Sequence, residues 1–440
     1  MPESPIAVRL HGWREPASVF AAIAAGSPHS FWLDAGPEAT TGWSWVGTGV
    51  VETATDRPLR VALTGTPEDD GWEAGRFRGG WVGWLGYEDA AARAGAPVAE
   101  GDLAVAADMW LRVDTFVAFD HARRRVWAIA PARDVQAFAE RVSAADSTDT
   151  SVESLIAAPP AVSRAVSRDT PQEYAELIER CRSAIREGDA YQLCLTTRFT
   201  VGHAVDPVAA FARLRAATPA HHGGLVRSGA VALASASPER FLEVERGVVR
   251  TSPIKGTRPR GDDAAQDAAL IRELRDSEKE RAENIMIVDL MRNDLSRVCE
   301  PGSVRVDALL QVESYPAVHQ LVSTVSGTLN EGTDVGGLLD ATFPAGSMTG
   351  APKLSAMSIL HGLEHGPRGV FAGCFGWVGS DGALDLAMVI RSIVTHPAGA
   401  YVGAGGGITW RSDAAAEVAE VAVKARGPLA ALGADLPLGW

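Results

Sequence analysis

Residues 370–396 carry the pattern that most limits the fold of this chain. Two apolar runs, 370–378 and 384–394, flank a Ser-Asp-Gly turn at 380–382. Apolar runs separated by a short turn that contains glycine are typical of a β-hairpin. A hairpin joins two strands that run in opposite directions, so this segment favours an antiparallel sheet over a doubly wound parallel one.

Helix signals alternate with the predicted strands. Thr170 and Glu173 form a capping box, Pro171 takes the first helical position, and Gly188 is a stop signal. The apolar face that follows the box at helical spacing consists of Tyr174, Leu177, Ile178, Cys181, Ala184 and Ile185. Further helices are predicted from Asp206-Pro207 onward, over about 262–295 and over 414–424. Strands and helices interleaved in this way predict an α+β fold.

The first third of the chain differs from the rest. Residues 1–130 have short aromatic runs broken by Gly and Asp, which indicate strands. Residues 143–168 are rich in Ser, Ala, Asp, Thr and Pro without periodicity, which is typical of a linker. We therefore divide the chain into an N-terminal region, 1–145, and a second region, 165–435, with the two expected to merge into one sandwich.

Composition excludes several classes of partner. The net charge of −14 argues against nucleic acid, whose phosphates favour a basic surface. No run of 18 apolar residues and no secretory signal are present, so we expect no membrane partner. The four cysteines are far apart and form no C-x-x-C, which predicts reduced thiols and a cytoplasmic location.

Four segments carry candidate chemistry. Lys255 lies in Ser-Pro-Ile-Lys-Gly-Thr, between a proline turn and a Gly-Thr pair, where it is either a surface charge or a positioned amine. Two pairs of glutamates have a spacing of three, which puts each pair on one helix face; they are Glu280 with Glu283 and Glu417 with Glu420. Mg²⁺ prefers such oxygen ligands. Two solvated helix faces are the alternative.

The other two segments suit an anion. The run 403–407 is Gly-Ala-Gly-Gly-Gly, and glycines let backbone N–H groups approach a ligand; a flexible turn is the alternative. The loop 343–353 leads into a helix and ends at Lys353, but it fails the phosphate-binding pattern G-x-x-x-x-G-K-[ST].

Three polar residues stand in strand-like surroundings. Arg391 lies in an apolar run, where burial is costly unless the guanidinium meets an anion. Glu239 follows Ser-Pro, and His319, taken alone, is typical of a histidine with satisfied hydrogen bonds in a core.

Together these segments resemble the chorismate-utilising enzymes, which include the anthranilate, aminodeoxychorismate, isochorismate and salicylate synthases. Residues 165–435 carry the stronger resemblance through SPIKGTRPRG, AENIMIVDLMRNDLSRV, HQLVSTVSG, FPAGSMTGAPK and GAGGGITW. Residues 1–145 match more weakly, through FWLDAG, GWSWVG and FRGGWVGWLGYE. The resemblance implies two orthogonally packed antiparallel β-sheets flanked by helices.

The resemblance also implies a set of site residues. Mg²⁺ is expected at Glu280, Glu283, Glu417 and Glu420, on the ring carboxylate of chorismate. Gly405, Gly406 and Gly407 would hold the same carboxylate through their backbone, and Arg391 would take the enolpyruvyl carboxylate. His319 would lie near the ring, and Lys424 lies where the family also uses a cation. Further substrate contacts would come from Gly256, Thr257 and Ser347. Phe371 departs from the pattern, because relatives often have tyrosine there.

Two positions favour one branch of the family. Members that add water use a lysine base at the position of Gln192, and glutamine cannot act as a base. At Lys255, anthranilate synthases tend to have a small residue, whereas PIKGT is typical of aminodeoxychorismate synthases. The resemblance therefore implies a transaminase-type transferase that makes 4-amino-4-deoxychorismate for 4-aminobenzoate and folate synthesis, with anthranilate formation as the alternative.

The resemblance makes Lys255, Glu239 and His319 the catalytic residues. Glu239 would protonate the departing 4-hydroxyl, and neutral Lys255 would attack C2 before ammonia enters at C4. No glutaminase motif with a nucleophilic cysteine is found in the sequence. The ammonia is therefore expected from a separate glutaminase (amidotransferase) component II subunit.

Overall fold

Two antiparallel sheets share one long strand. The structure is a computed structural model that describes residues 5–64, 71–101, 105–144, 155, 162–315 and 318–440. Its strands are β1 Pro5–Arg9, β2 His29–Asp34, β3 Trp43–Val51, β4 Gly80–Leu85, β5 Asp108–Asp120, β6 Arg125–Pro131, β7 Ser163–Arg164, β8 Val166–Ser167, β9 Gln192–Val201, β10 His222–Ser228, β11 Val231–Ser237, β12 Arg240–Glu245, β13 Val248–Thr251, β14 Ile254–Pro259, β15 Arg305–Ser314, β16 Val318–Thr328, β17 Gly350–Ala351, β18 Cys374–Gly379, β19 Leu384–Met388, β20 Ser392–His396, β21 Gly399–Ile408 and β22 Ala434–Asp435.

The α-helices lie between and after these strands. They are α1 Pro16–Ile23, α2 Tyr87–Arg93, α3 Val135–Ala144, α4 Pro171–Glu187, α5 Pro207–Ala217, α6 Ala264–Asp276, α7 Glu278–Ser296, α8 Val335–Thr342, α9 Lys353–Leu363 and α10 Ala414–Ala431. Short 3-10 turns occur at Pro58–Arg60 and Gly346–Met348. No helix in the part of the chain that the structure describes is long and apolar enough to span a bilayer.

The shared strand is β5. Its first half pairs with β4, its second half pairs with β6, and β3 follows its other edge. One sheet continues in the order β5-β3-β2-β10-β11-β20-β21-β9, with β6 and β1 at its other end. The second runs β5-β4-β18-β19-β12-β13-β16, and β14 and β15 also pair with β16. All these pairings are antiparallel, which confirms the predicted α+β class.

Strands from the two predicted regions are neighbours in both sheets. Strand β2 pairs with β10, and β4 pairs with β18. Most of the predicted linker, 143–168, lies outside the described residues. The division into 1–145 and 165–435 stays a prediction.

Two apolar clusters hold helices against the sheets. Helices α4, α5 and α10 cover the first sheet with buried side chains that include Tyr174, Leu177, Val421 and Leu429. Helix α7 packs on β14 and β16 through Ile287, Val288, Met291 and Leu295. Each fully buried side chain of this size stabilises the fold by about 1.5–3 kcal/mol relative to exposure. The packing fixes α7 and α10 beside the strands that carry the predicted site.

Helix α4 confirms its predicted boundaries. The Thr170 hydroxyl accepts from the Glu173 backbone N–H at 3.2 Å, and the Glu173 carboxylate accepts from the Thr170 N–H at 2.8 Å. The helix ends at Glu187, directly before Gly188. Asp206 caps α5 in the predicted place, through the backbone N–H of Val208.

Three predicted elements differ in detail. The helix predicted over 262–295 is two helices, because Ser277 leaves the helical conformation and its hydroxyl caps α7. The second strand of the predicted hairpin ends at Met388, and β20 begins at Ser392; between them Arg391 adopts a φ of 51°. The run 403–407 is part of strand β21 rather than a turn.

The capping box allows a stability test. Thr170→Ala removes the side-chain acceptor for the Glu173 N–H, so the free energy of unfolding should fall by about 1 kcal/mol. Thr170→Ser keeps the acceptor and is the matched control. The midpoint of urea unfolding, followed by circular dichroism, measures both variants, and equal midpoints for the Ala and Ser variants would contradict this role of the cap.

Candidate active site

One cavity of about 380 Å³ collects nearly all of the predicted site residues. It lies where β14, β21, α7 and α10 meet. The predicted residues that line it are Glu239, Lys255, Gly256, Thr257, Glu280, Glu283, Ser347, Arg391, Gly405, Gly406, Gly407, Glu417, Glu420 and Lys424. The sequence segments that contribute them are up to 185 positions apart, so only the folded chain forms the site.

Glu280 and Glu417 lie in the first turns of two helices, and Glu283 and Glu420 lie one turn further on. Ser277 caps α7 just before Glu280, and Asp413 caps α10, accepting from the Ala416 N–H at 2.9 Å. The N-terminal end of a helix carries partial positive charge, which stabilises carboxylates there. Glu417 also accepts a hydrogen bond from the Ser412 hydroxyl at 2.8 Å. These local contacts offset part of the cost of burying the carboxylates.

A buried oxygen of Glu283 has no hydrogen-bond donor. Its Oε1 is among the buried atoms that accept no hydrogen bond. Burial raises the pKa of Glu283, and the charges of Lys255 and Lys279 only partly oppose that rise. An unsatisfied buried carboxylate oxygen is costly unless a cation or donor meets it.

The glutamates suit a hard cation but are not closed around one. Among the described residues, no group of three or more His, Cys, Asp and Glu side chains is arranged to hold a metal ion. Lys279 lies between two of the glutamates, with Nζ 3.6 Å from Glu417 Oε1 and 3.9 Å from Glu283 Oε1. The oxygen donor set and the unsatisfied Glu283 oxygen fit Mg²⁺. The predicted magnesium site stays a prediction.

The glycines of strand β21 give the cavity a wall with few side chains, which we call the glycine wall; it consists of Gly403, Gly405, Gly406 and Gly407. A Cβ at Gly407 would lie 2.5 Å from Gln192 Nε2 and 3.8 Å from Lys255 Nζ. Only glycine leaves that space open. Lys424 lies next to this wall, where its ammonium donates to the Gly405 carbonyl at 2.8 Å and pairs with Glu420 at 2.7 Å.

Lys255 lies at an irregularity in β14. Lys255 pairs with Leu321 and Thr257 pairs with Gln320, so Gly256 is an extra residue opposite β16, with a φ of 78°. A bulge of this kind redirects neighbouring side chains. Asn284 of α7 fixes the surroundings, because its amide donates to the Leu321 carbonyl at 3.3 Å and its carbonyl oxygen accepts from the Ser323 hydroxyl at 2.5 Å.

Lysine is rare in this chain. Four of its 41 basic residues are lysines, and three of those four, Lys255, Lys279 and Lys424, line this cavity. Lysine differs from arginine in having a compact ammonium that can lose its proton. The distribution therefore indicates that the cavity needs amines.

Glu239 is the buried acid of the cavity. Burial raises the pKa of its carboxyl to about 7, against the opposing effects of Lys255, Ser347 and Lys424. The group is therefore substantially protonated near neutral pH and can donate a proton there.

Arg391 and Ser347 lie on the same cavity. Burial lowers the pKa of the Arg391 guanidinium, and the charge of Glu420 opposes that change. A cation in this position suits an anionic ligand. Ser347 belongs to the 3-10 turn Gly346–Met348. Phe371, where relatives often have tyrosine, lines the cavity too.

His319 does not line the cavity. Its ring is completely buried, with Nδ1 2.8 Å from the Ser314 hydroxyl and Nε2 2.8 Å from Asp267 Oδ1. Asp267 also accepts two hydrogen bonds from Arg260, which, together with the Gly261 N–H, hold the pKa of its carboxyl well below the usual range. The predicted catalytic role of His319 has no support in this geometry, and the ring links β15, β16 and α6.

Gln192 and Lys279 were not predicted as site residues, although Gln192 served to decide between branches of the family. Gln192 is fully buried, and neither its amide nitrogen nor its carbonyl oxygen has a hydrogen-bond partner, although it lies against Gly407. Lys279 was not predicted because it belongs to a charged helix, in which a lysine next to glutamates is common. The rarity of lysine in this chain is the signal that points to it.

Comparison with known proteins defines the class. The family model of the chorismate binding enzyme matches residues 13–430, and the chain belongs to that family. It is similar to an aminodeoxychorismate synthase of Streptomyces pristinaespiralis, 41% identical over 369 residues, which are 81% of this chain and 51% of the relative. It is also similar to an anthranilate synthase component 1 of Streptomyces coelicolor, 41% identical over 375 residues, which are 81% of this chain and 73% of that relative.

A solved structure supports the same fold. Anthranilate synthase component I from Streptococcus pneumoniae matches with a TM-score of 0.70 and 26% identity, over 97% of this chain and 92% of that one. The anthranilate synthase component I-like fold predicted from the sequence is thereby confirmed. This chain spans about half the length of the first relative.

The glycine wall predicts a binding defect. Gly407→Ala puts a methyl group against the Gln192 amide and into the cavity, so chorismate affinity should fall at least about tenfold, the equivalent of 1.4 kcal/mol. Gly202→Ala is the control, because nothing lies within 4 Å of its added Cβ. Binding is measured by calorimetry, and equal affinities in the two variants would argue against the wall.

Proposed function

We propose that the chain is the chorismate-converting component of an aminodeoxychorismate synthase. It would convert chorismate and ammonia to 4-amino-4-deoxychorismate and water. The observation that carries the proposal is that one cavity contains both the Lys255 amine and an acid, Glu239, whose pKa is about 7. The family membership and the relatives named for this activity support it.

Charge in the cavity supports a dianionic substrate. Chorismate carries two carboxylates, and Lys424 and Arg391 give the cavity cations to meet them. The enolpyruvyl carboxylate is assigned to Arg391, and the ring carboxylate to the backbone of Gly405–Gly407. Gly256, Thr257 and Ser347 complete the contacts with the substrate.

The reaction divides into two displacements. In the first, the neutral Lys255 amine bonds to C2, the ring double bond shifts, and the 4-hydroxyl leaves as water after taking the Glu239 proton. In the second, ammonia bonds to C4, the ring double bond shifts back as the lysine amine leaves C2 with its electron pair, and one proton of the new ammonium group returns to Glu239. Lys255 is restored, and nitrogen stands where oxygen stood.

Magnesium would act on the carboxylate side of the cavity. Glu280, Glu283, Glu417 and Glu420 would hold it, and it would neutralise the ring carboxylate of the substrate. The chain's own residues would bind, orient and protonate the substrate.

Ammonia requires a source. Among the described cysteines, Cys374 stands in the segment most like a glutaminase turn, but it is buried in β18, and burial raises the pKa of its thiol. It is not suited to be a nucleophile. A glutaminase component is therefore proposed as the partner, with free ammonia as its substitute; the cytoplasmic location stays a prediction.

Anthranilate formation is the second candidate, because a relative of equal identity carries that name. The direct test is to incubate the protein with chorismate, Mg²⁺ and ¹⁵N-ammonium and to identify the product by mass spectrometry and NMR. The proposal expects ¹⁵N at C4 and the enolpyruvyl group retained. Anthranilate with released pyruvate would refute it.

If Lys255 is the nucleophile, replacing it should abolish the 4-amino product whether or not the new side chain is positively charged. Lys255→Arg keeps a positive charge but has no amine that can attack carbon, so formation of the 4-amino product should be lost as it is in Lys255→Ala. Product is measured by chromatography at saturating ammonium. A Lys255→Arg enzyme that keeps the 4-amino product would reduce Lys255 to an electrostatic role.

If Glu239 is the general acid, turnover should decrease as the pH rises above 7, which gives the pH profile an alkaline limb. A carboxyl with a raised pKa of about 7 is protonated below that pH and ionised above it. Turnover should therefore fall about tenfold per pH unit above 7 if Glu239 must donate its proton. Glu239→Gln should lower turnover by about 10²–10⁴-fold and remove this limb. An unchanged alkaline limb in Glu239→Gln would exclude Glu239 as its source.

A further inference from the structure

Lys279 connects the two helices that carry the glutamates. It is the second residue of α7, and its ammonium stands 3.6 Å from Glu417 of α10 and 3.9 Å from Glu283 of its own helix. The side chains of the two glutamates are 4% and 11% exposed, whereas that of Lys279 is 54% exposed. The contact therefore joins two buried anions to a cation that still reaches solvent.

The ammonium is held there by charge. Among the described residues, Lys279 is the cation that lies within 4 Å of both Glu283 and Glu417. A charged lysine at this position reduces the repulsion between these two carboxylates.

A divalent cation would compete for the same space. Mg²⁺ takes carboxylate oxygens at about 2.0–2.1 Å. An ion bound to both Glu283 and Glu417 would therefore lie within a few ångströms of the present position of the Lys279 ammonium. Two like charges this close, among shared ligands, are strongly unfavourable. The divalent cation and the Lys279 ammonium therefore cannot bind Glu283 and Glu417 at the same time.

The type of side chain suits displacement. An arginine fork would bind two carboxylates through several fixed hydrogen bonds, whereas the lysine ammonium is a compact charge on a flexible stem. No contact of Lys279 with a glutamate is as short as 3.5 Å, and the side chain is half exposed. This chain uses lysine only four times, and this is one of them.

We propose that Lys279 is a displaceable counter-ion of the divalent-cation site. It neutralises Glu283 and Glu417 in the metal-free protein, and it swings toward solvent when the metal binds. This inference rests on the proposed function, which assigns the glutamates to a metal. Its consequence is that Lys279 lowers the affinity of the free protein for divalent cations.

The test is metal binding without substrate. Mn²⁺ alone is the probe, and free Mn²⁺ is measured by electron paramagnetic resonance in the wild type, Lys279→Met and Lys279→Arg. Lys279→Met removes the competing charge at similar length and should bind Mn²⁺ at least tenfold more tightly. Lys279→Arg keeps the charge and can hold both carboxylates through several hydrogen bonds, so it should bind Mn²⁺ no more tightly than the wild type. Equal or weaker binding by Lys279→Met would overturn the inference.

Two controls separate this inference from the proposed metal site. Glu417→Gln should abolish Mn²⁺ binding in the Lys279→Met background if the glutamates are the ligands. Saturable binding that survives Glu417→Gln, or no binding in any variant, would refute the metal site itself. Mn²⁺ binding that requires Glu417 but has the same affinity in all residue-279 variants would refute only the counter-ion role.

Displacement also has a direct readout. The four lysines make selective ¹³C-methylation of amines simple to interpret, and the signal that is missing in Lys279→Arg identifies Lys279. Because Mg²⁺ is diamagnetic, its addition should shift this signal toward that of a solvated lysine. A Lys279 signal that does not move while Mg²⁺ binds would contradict displacement.

Discussion

Negative charge gathered at the ends of two helices is the constraint on which the site depends. Helices α7 and α10 each bring two glutamates to one cavity, and Glu239 adds a fifth carboxyl. Burial of like charges is costly, so the fold must supply partners. It does so with helix N-termini, with the Ser412 hydroxyl and with the cationic side chains on the cavity wall.

The same electrostatics separates the roles of the acidic residues. Glu420 pairs with Lys424, and this pairing lowers the pKa of Glu420 despite its burial. Glu239 has only more distant cations and one hydrogen bond, so burial dominates and raises its pKa to about 7. One carboxylate is thus kept as an anion, while another is kept as an acid.

Local sequence signals predicted much of the fold because their causes are local. The capping box at Thr170 and Glu173, the proline that follows it and the Asp206 cap act within one helical turn, and the structure has all of them. The break at Ser277 is local too, because its hydroxyl caps α7 through the Glu280 N–H, and the Ser-x-x-Glu spacing there could have predicted it. The positive φ of Arg391 is marked by neither charge nor hydrophobic periodicity.

The site residues divide in the same way. Fourteen residues named from motif resemblance line one cavity, because long motifs carry information about tertiary contacts. Their individual roles stay predictions. His319 lies inside such a motif too, but its partners, Ser314 and Asp267, come from neighbouring elements that no spacing rule identifies. The position of Lys279 between Glu283 and Glu417 likewise exists only after α7 and α10 pack together.

The central claim is a transient covalent bond between Lys255 and the substrate. Its most direct measurement is mass spectrometry of the protein after rapid acid quenching with chorismate and Mg²⁺ but no ammonia. The account predicts that the peptide containing Lys255 gains the mass of chorismate less one water, and that this adduct disappears when ammonium is supplied. An unmodified Lys255 peptide, under conditions in which added ammonium yields the 4-amino product, would contradict it.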